Sequence, residues 1–248
     1  MTNLQPRVRR GAAVLAAGLL AAALAGCQGA APLTPAPAPA ASLATTPAAT
    51  PAPGSSTSSP ATTSTSAALA QLAGLAVKGP APMTGYSRAK FGPAWADEDH
   101  NGCDTRNDVL RRDLTDTTLK AGTHGCVVLT GVLVDPYTAR TIDFTRGSST
   151  STAVEIDHVV ALADAWRTGA QAWSPARREQ YANDPLVLLA VDGPTNEAKG
   201  DGDAATWLPP NKAYRCTYAA RQVTIKSTYS LWVTPAEHDA LERILHAC

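Results

Sequence analysis

Residues 28–70 carry no charged side chain and consist almost entirely of Ala, Pro, Ser and Thr. With so little large apolar surface, burial cannot offset the entropy of ordering the chain. The stretch reads as a disordered tether, polyproline-like where Pro alternates with Ala (Pro35-Ala36-Pro37-Ala38-Pro39). The fold is thereby confined to roughly residues 71–248, enough for one domain with a substantial core.

Residues 1–27 read as an export signal. Arg7, Arg9 and Arg10 form a basic front, and Gly11 to Gly26 is a run of small or aliphatic residues. That run is short for a membrane span, which needs about 20 residues. Its end, Leu24-Ala25-Gly26-Cys27, resembles the lipobox of bacterial lipoproteins. The resemblance implies a lipid-modified Cys27, a membrane anchor and an extracytoplasmic location, or secretion if the lipobox is unused. Four further cysteines, Cys103, Cys126, Cys216 and Cys248, suggest two disulfides in an exported chain. Of three pairings, the sequence-local Cys103–Cys126 and Cys216–Cys248 are expected. No C-x-x-C pair supports zinc instead.

Without the three signal arginines the chain holds 18 basic and 21 acidic residues. This excludes an indiscriminate basic coat for nucleic acid. From Ala204 to Ala236 there is no acidic residue, and Lys212, Arg215 and Lys226 would share one side of a helix, with Arg221 opposite. The stripe reads equally well as a basic contact surface and as a solvated helix face.

The pattern predicts an α+β domain. Thr105 to Leu114 reads as a helix capped by Asp104 or Thr105, with Val109 and Leu110 inward. Cys126 to Val134 and Arg140 to Phe144 read as strands around an Asp135-Pro136-Tyr137-Thr138 turn. Val154 to Val160 is a strand, and Leu162 to Ala172 a helix. Another helix starts at Ser174-Pro175 and runs to about Tyr181. Asn183 to Val191 is extended, and Asn196 opens a short helix. Asn211 caps a helix to Tyr229, and Thr234-Pro235-Ala236-Glu237 is a capping box for a last helix.

Glu155-Ile156-Asp157-His158-Val159-Val160 supplies a carboxylate beside an imidazole, followed by Asn183 and Asn196. Phosphodiester hydrolysis needs an activated water, charge neutralisation and a stabilised leaving oxygen. A histidine suits the first. A hard cation such as Mg²⁺ on carboxylate and amide oxygens suits the others. Neighbours in a regular strand face opposite ways, so Asp157 and His158 need a strand end or bend to meet.

These residues resemble the His-Asn-His (HNH) endonucleases, and more narrowly the secreted actinobacterial branch with the domain of unknown function 1524. Cys103-Asp104-Thr105-Arg106-Asn107, Asp135-Pro136-Tyr137 and Gly200 to Asn211 share the likeness, which covers roughly residues 85–248. The resemblance implies a ββα-metal (His-Me finger) core with additional helices and a small antiparallel sheet. It implies His158 as general base, Asn183 as the residue that holds the loop and orients His158, and Asp157 and Asn196 as ligands of Mg²⁺, Mn²⁺ or another divalent cation. The substrate would be nucleic acid, DNA in preference to RNA, and the protein a monomer. Two departures from compact members stand out: the long His158–Asn183 spacing, and the absence of zinc-binding cysteine pairs.

Simpler readings accompany each residue. Asn183-Asp184-Pro185 reads also as a turn, Asn196 as a helix cap, and Asp201 and Asp203 as caps or turns. Lys199 and Arg106 are candidates for phosphate contact or plain solvated charges. The other histidines read as surface or structural. A catalytically silent, surface-displayed binding lipoprotein is the alternative function. A cell-wall hydrolase or peptidase is less favoured, because neither H-E-x-x-H nor Gly-x-Ser-x-Gly is present.

Overall fold

The computed structural model describes residues 65–248. The signal, Cys27 and tether residues up to 64 lie outside the described residues. Seven helices and five strands are described: α1 Thr65–Ala73, α2 Thr105–Asp113, β1 Thr115–Leu119, β2 Val128–Val134, β3 Thr141–Thr145, β4 Val154–His158, α3 Leu162–Arg167, α4 Pro175–Asn183, β5 Leu188–Asp192, α5 Gly193–Lys199, α6 Arg215–Tyr229 and α7 Pro235–His246. The domain is α+β, with small antiparallel sheets. Residues 65–70, placed by composition in the tether, are the first part of α1, which buries Ala68 and Leu72 against α6 and α7.

Strands β1-β2-β3 form one antiparallel sheet and β4-β5 a second. The β4–β5 ladder is regular from Val154↔Asp192 to His158↔Leu188. Its two faces serve two cores. Val154, Ile156, Leu188 and Ala190 pack with Val109, Leu110, Leu133 and Phe144. Leu189 and Val191 pack on the other face with Trp166, Tyr181, Tyr218 and Ile225. Burial on both faces explains why β5 is apolar without alternation.

Helix ends follow their caps. Asp104 accepts from Asn107 N at 2.8 Å at the start of α2, and Ser174 from Arg177 N at 3.2 Å before α4. Thr234 and Glu237 close the capping box of α7. The predicted Leu162–Ala172 helix is broken: α3 stops at Arg167, Gly169 takes φ +138°, and a 3-10 turn follows at Ala170–Ala172. Asn183, expected at the start of an extended segment, is the last residue of α4. Asn211 caps a 3-10 turn at Lys212–Tyr214 that leads into α6.

The basic stripe does not form. Lys226 is fully buried, with Nζ 3.0 Å from Asp164 and 2.7 Å from Glu237. Arg221 spends its guanidinium on the carbonyls of Pro185, Leu186 and Leu188. Both expected disulfides are present, Cys103–Cys126 and Cys216–Cys248. Closing loops of 23 and 32 residues, each contributes about 3–4 kcal/mol on the chain-entropy account.

The entry to α5 depends on Gly193. A Cβ there would overlap the Thr152 carbonyl oxygen, a backbone atom that cannot swing aside. Gly193→Ala is expected to cost about 1–3 kcal/mol by overpacking, seen as a lower urea midpoint with unchanged slope.

Candidate active site

β4 and β5 form an antiparallel pair, connected through α3 and α4 and followed by α5, and Asp157, His158 and Asn196 sit on these elements. Asp157 and His158 are the last two residues of β4, and Asn196 lies in α5. Ending the strand at His158 answers the opposite-face problem: Asp157, His158 and Asn196 border one cleft of about 290 Å³, together with Tyr86, Arg88 and Gly200.

Asp157 is 4 % exposed and doubly held. Lys199 Nζ donates to Oδ1 at 2.8 Å, and the Tyr137 hydroxyl donates to Oδ2 at 2.5 Å. Lys199, 3 % exposed, also donates to the His158 carbonyl at 2.9 Å. It is therefore neither solvated nor free for phosphate. Burial and the Asp157 carboxylate push the Tyr137 hydroxyl well above its ordinary pKa, so it stays a donor. Tyr137 is itself pinned. Asp135 accepts from Thr138 and from Asp192 N, while Asn211 donates to the Pro136 carbonyl. Tyr137→Phe is expected to destabilise by about 1–3 kcal/mol, because Asp157 Oδ2 loses its donor in a buried setting; a urea titration would measure it.

His158 Nε2 lies 2.9 Å from the Ala182 carbonyl oxygen. A carbonyl only accepts, so Nε2 carries the proton and Nδ1 keeps a lone pair. Burial lowers the pKa to about 4, against the Ala182 hydrogen bond that raises it, and nearby Arg88 lowers it further. The ring is thus neutral at physiological pH.

The group that fixes His158 is the backbone of Ala182, one residue before Asn183. Asn183 Nδ2 donates to Glu179 O at 3.0 Å, while its buried Oδ1 has no hydrogen-bond partner among the described residues. Asn183 borders a second cavity, which also touches His158. Asn196 Nδ2 donates to Glu155 Oε2 at 2.9 Å, which leaves the amide oxygen unengaged by that contact. Arg106 donates to the Ser151 and Val154 carbonyls and holds β4 from outside the cleft. Asp203 takes the turn role expected of it, accepting from Ala205 N and Thr206 N. Asp201 instead pairs with Arg167 at 3.1 Å.

Can these residues hold a cation? Asp157, Glu155 and Asn196 offer hard oxygen donors, and each Asp157 oxygen, taking one donor, keeps a second lone pair. The donor set fits Mg²⁺ or Mn²⁺, with Lys199 as a competing cation. An acidic trio elsewhere, Asp164, Asp203 and Glu237, has ligand atoms within 4.8 Å of one another. There Lys226 already supplies the positive charge.

Sequence reasoning missed Tyr137 and Glu155 as partners of the site. Lys199 carried a usable signal: three residues after Asn196, it shares a helix face with it. Tyr137 stood in the Asp135-Pro136-Tyr137 segment of the family likeness, but nothing local tied it to Asp157, 20 residues on.

A nuclease-type class is what these elements and their residues suggest, and the comparisons bear on it. Residues 104–244, more than half of the chain, match the family described as GmrSD restriction endonucleases, C-terminal domain, and the chain belongs to that family. It is also 40 % identical over 187 residues to an "Uncharacterized secreted protein" of Arthroderma benhamiae (strain ATCC MYA-4681 / CBS 112371), an alignment spanning 75 % of this chain and 86 % of the relative. No solved structure matches.

Proposed function

We propose that this chain is an exported, lipid-anchored endonuclease of the HNH type, dependent on a divalent metal and hydrolysing phosphodiester bonds of nucleic acid, DNA before RNA. The reading places it in the secreted branch with the domain of unknown function 1524, as a monomer with residues 1–27 as signal. The family match and the secreted relative support it in outline. The observation that carries it is the neutral His158, its Nδ1 without a hydrogen bond among the described residues, on a cleft shared with Asp157 and Asn196.

In this reading β4–β5–α5 is a ββα-metal core. Asp157 and Asn196 would hold Mg²⁺ or Mn²⁺, which when bound supplies charge neutralisation at the phosphate and stabilisation of the departing 3′-oxygen. His158 Nδ1 takes a proton from water as its oxygen bonds to phosphorus and the P–O3′ bond breaks; O3′ leaves with the bonding pair and takes a proton from solvent, giving a 5′-phosphate and a 3′-hydroxyl. Ala182 O holds the ring in the required tautomer. Lys199 and Tyr137 keep Asp157 in place for the cation. Asn183 closes the end of α4 that delivers the Ala182 carbonyl.

The protein is expected to nick and linearise plasmid DNA with Mg²⁺ or Mn²⁺ and to stop on EDTA addition. No metal-dependent cleavage at high protein concentration would remove the nuclease reading. A silent binding lipoprotein would then be the better account, one favoured by Asp157 being already compensated by Lys199.

A further inference from the structure

The second cavity against His158, about 250 Å³, is built by a segment that precedes the family match. We propose that it is a nucleoside subsite, taking the base of a nucleotide beside the scissile phosphate against the Trp95 ring while Arg88 meets a phosphate oxygen. The proposal rests on the nuclease reading and adds how the substrate is held.

Four observations carry it. The half-buried Trp95 ring lies nearly parallel to the His158 imidazole, at 16° with centroids 6.4 Å apart, and both rings border the cavity. Phe91, Pro93 and Leu162 complete an apolar wall, and a base stacks on such a surface whatever its identity. Arg88 is exposed and makes no ion pair among the described residues, yet its charge is felt at His158. It borders both this cavity and the catalytic cleft, so a phosphate it holds lies where the two meet. Asn183, 1 % exposed, borders the same cavity, and its Oδ1, without a hydrogen-bond partner among the described residues, is an acceptor available to a base N–H.

The backbone argues the same way. Trp95 has φ +62°, an uncommon conformation for a bulky residue and one that persists only when its surroundings impose it. The segment is pinned on both sides: Arg178 Nε donates to the Lys90 carbonyl at 2.8 Å, and Thr105 Oγ1 donates to the Ala96 carbonyl. Gly92, at φ +80°, passes so close to Glu179 that a Cβ would lie 2.8 Å from its side chain. The fold thus holds an aromatic ring at the mouth of a cavity. At about 250 Å³ the cavity lies just below the usual ~300–1,000 Å³ of small-molecule sites, room for one nucleoside and not a longer piece.

The test uses the full chain in EDTA and fluorescence anisotropy with two labelled probes, an eight-nucleotide oligothymidylate and the same backbone with every base removed. Wild type is expected to prefer the oligothymidylate by about 10- to 100-fold. Trp95→Ala should abolish that preference, and Trp95→Phe should keep most of it. Arg88→Ala should weaken both probes alike and lower the salt slope by about 0.7, one single-strand phosphate contact. A folded Trp95→Ala that retains the preference overturns the subsite. So does a wild type that cleaves plasmid but binds the two probes equally, an outcome that leaves the nuclease reading standing. A wild type that cleaves no plasmid under any divalent metal sinks that reading, and the subsite with it.

Discussion

His158→Ala is expected to lower metal-dependent plasmid cleavage by about 10²–10⁴-fold, the usual contribution of a positioned general base. The imidazole is neutral near pH 7 and is tied through Nε2 to the Ala182 carbonyl, which leaves Nδ1 as the basic nitrogen. Removing it also strips the Ala182 carbonyl of its donor, at a cost of about 1–3 kcal/mol. Circular dichroism and a melting curve on the same preparation separate the two losses. A folded variant with cleavage within threefold of wild type would remove His158 as the base.

Lys226→Met should produce the largest loss of stability, about 3–5 kcal/mol at pH 8, because it leaves buried carboxylates uncompensated. Lys226 faces Asp164 and Glu237 at once, so one ammonium serves two carboxylates. Burial therefore pushes Glu237 up to about 7 even with Lys226 opposing the shift, and Asp164 pushes the same way. A carboxyl whose folded pKa is raised imposes no penalty below its unfolded value of about 4.5. The penalty grows as pH rises towards the folded value. Wild-type stability should thus decline from this group between about pH 4.5 and 7. Without Lys226 the folded value rises further, so the variant should recover much of its loss at pH 5. Urea titrations of both proteins at pH 5 and 8 measure this, and an equal loss at both would contradict it.

The sequence was legible where physics is local. The caps at Asp104, Ser174 and Thr234 each read from a residue and its neighbours three positions on. The apolar run of β5 read as buried, and β4 with its Asp-His pair read as a strand. Where a residue's environment comes from distant chain, the reading failed. Strand β1 is mostly exposed along its length, so Thr115 to Leu119 show no apolar alternation to announce it. The angular arithmetic for Lys226 says where it points along α6, but its carboxylate partners Asp164 and Glu237 lie outside the window without acidic residues that made it look solvated. Asp157, His158 and Asn196 border one cleft, the grouping that the family resemblance implied. That Lys199 and Tyr137 would clamp Asp157 depends on the Asp135-Pro136-Tyr137 turn crossing beneath it, which no periodicity encodes.

The two cystine links have a bearing on the cell that makes this protein. Thiols stay reduced in a cytosol and pair in oxidising surroundings. Losing native disulfides typically costs 2–5 kcal/mol apiece, against a total stability of about 5–15 kcal/mol. A newly made chain lacking both Cys103–Cys126 and Cys216–Cys248 would sit near its unfolding threshold in a reducing compartment. An enzyme of the proposed kind would then reach full stability only in oxidising surroundings, so cystine formation would set where it can act on nucleic acid.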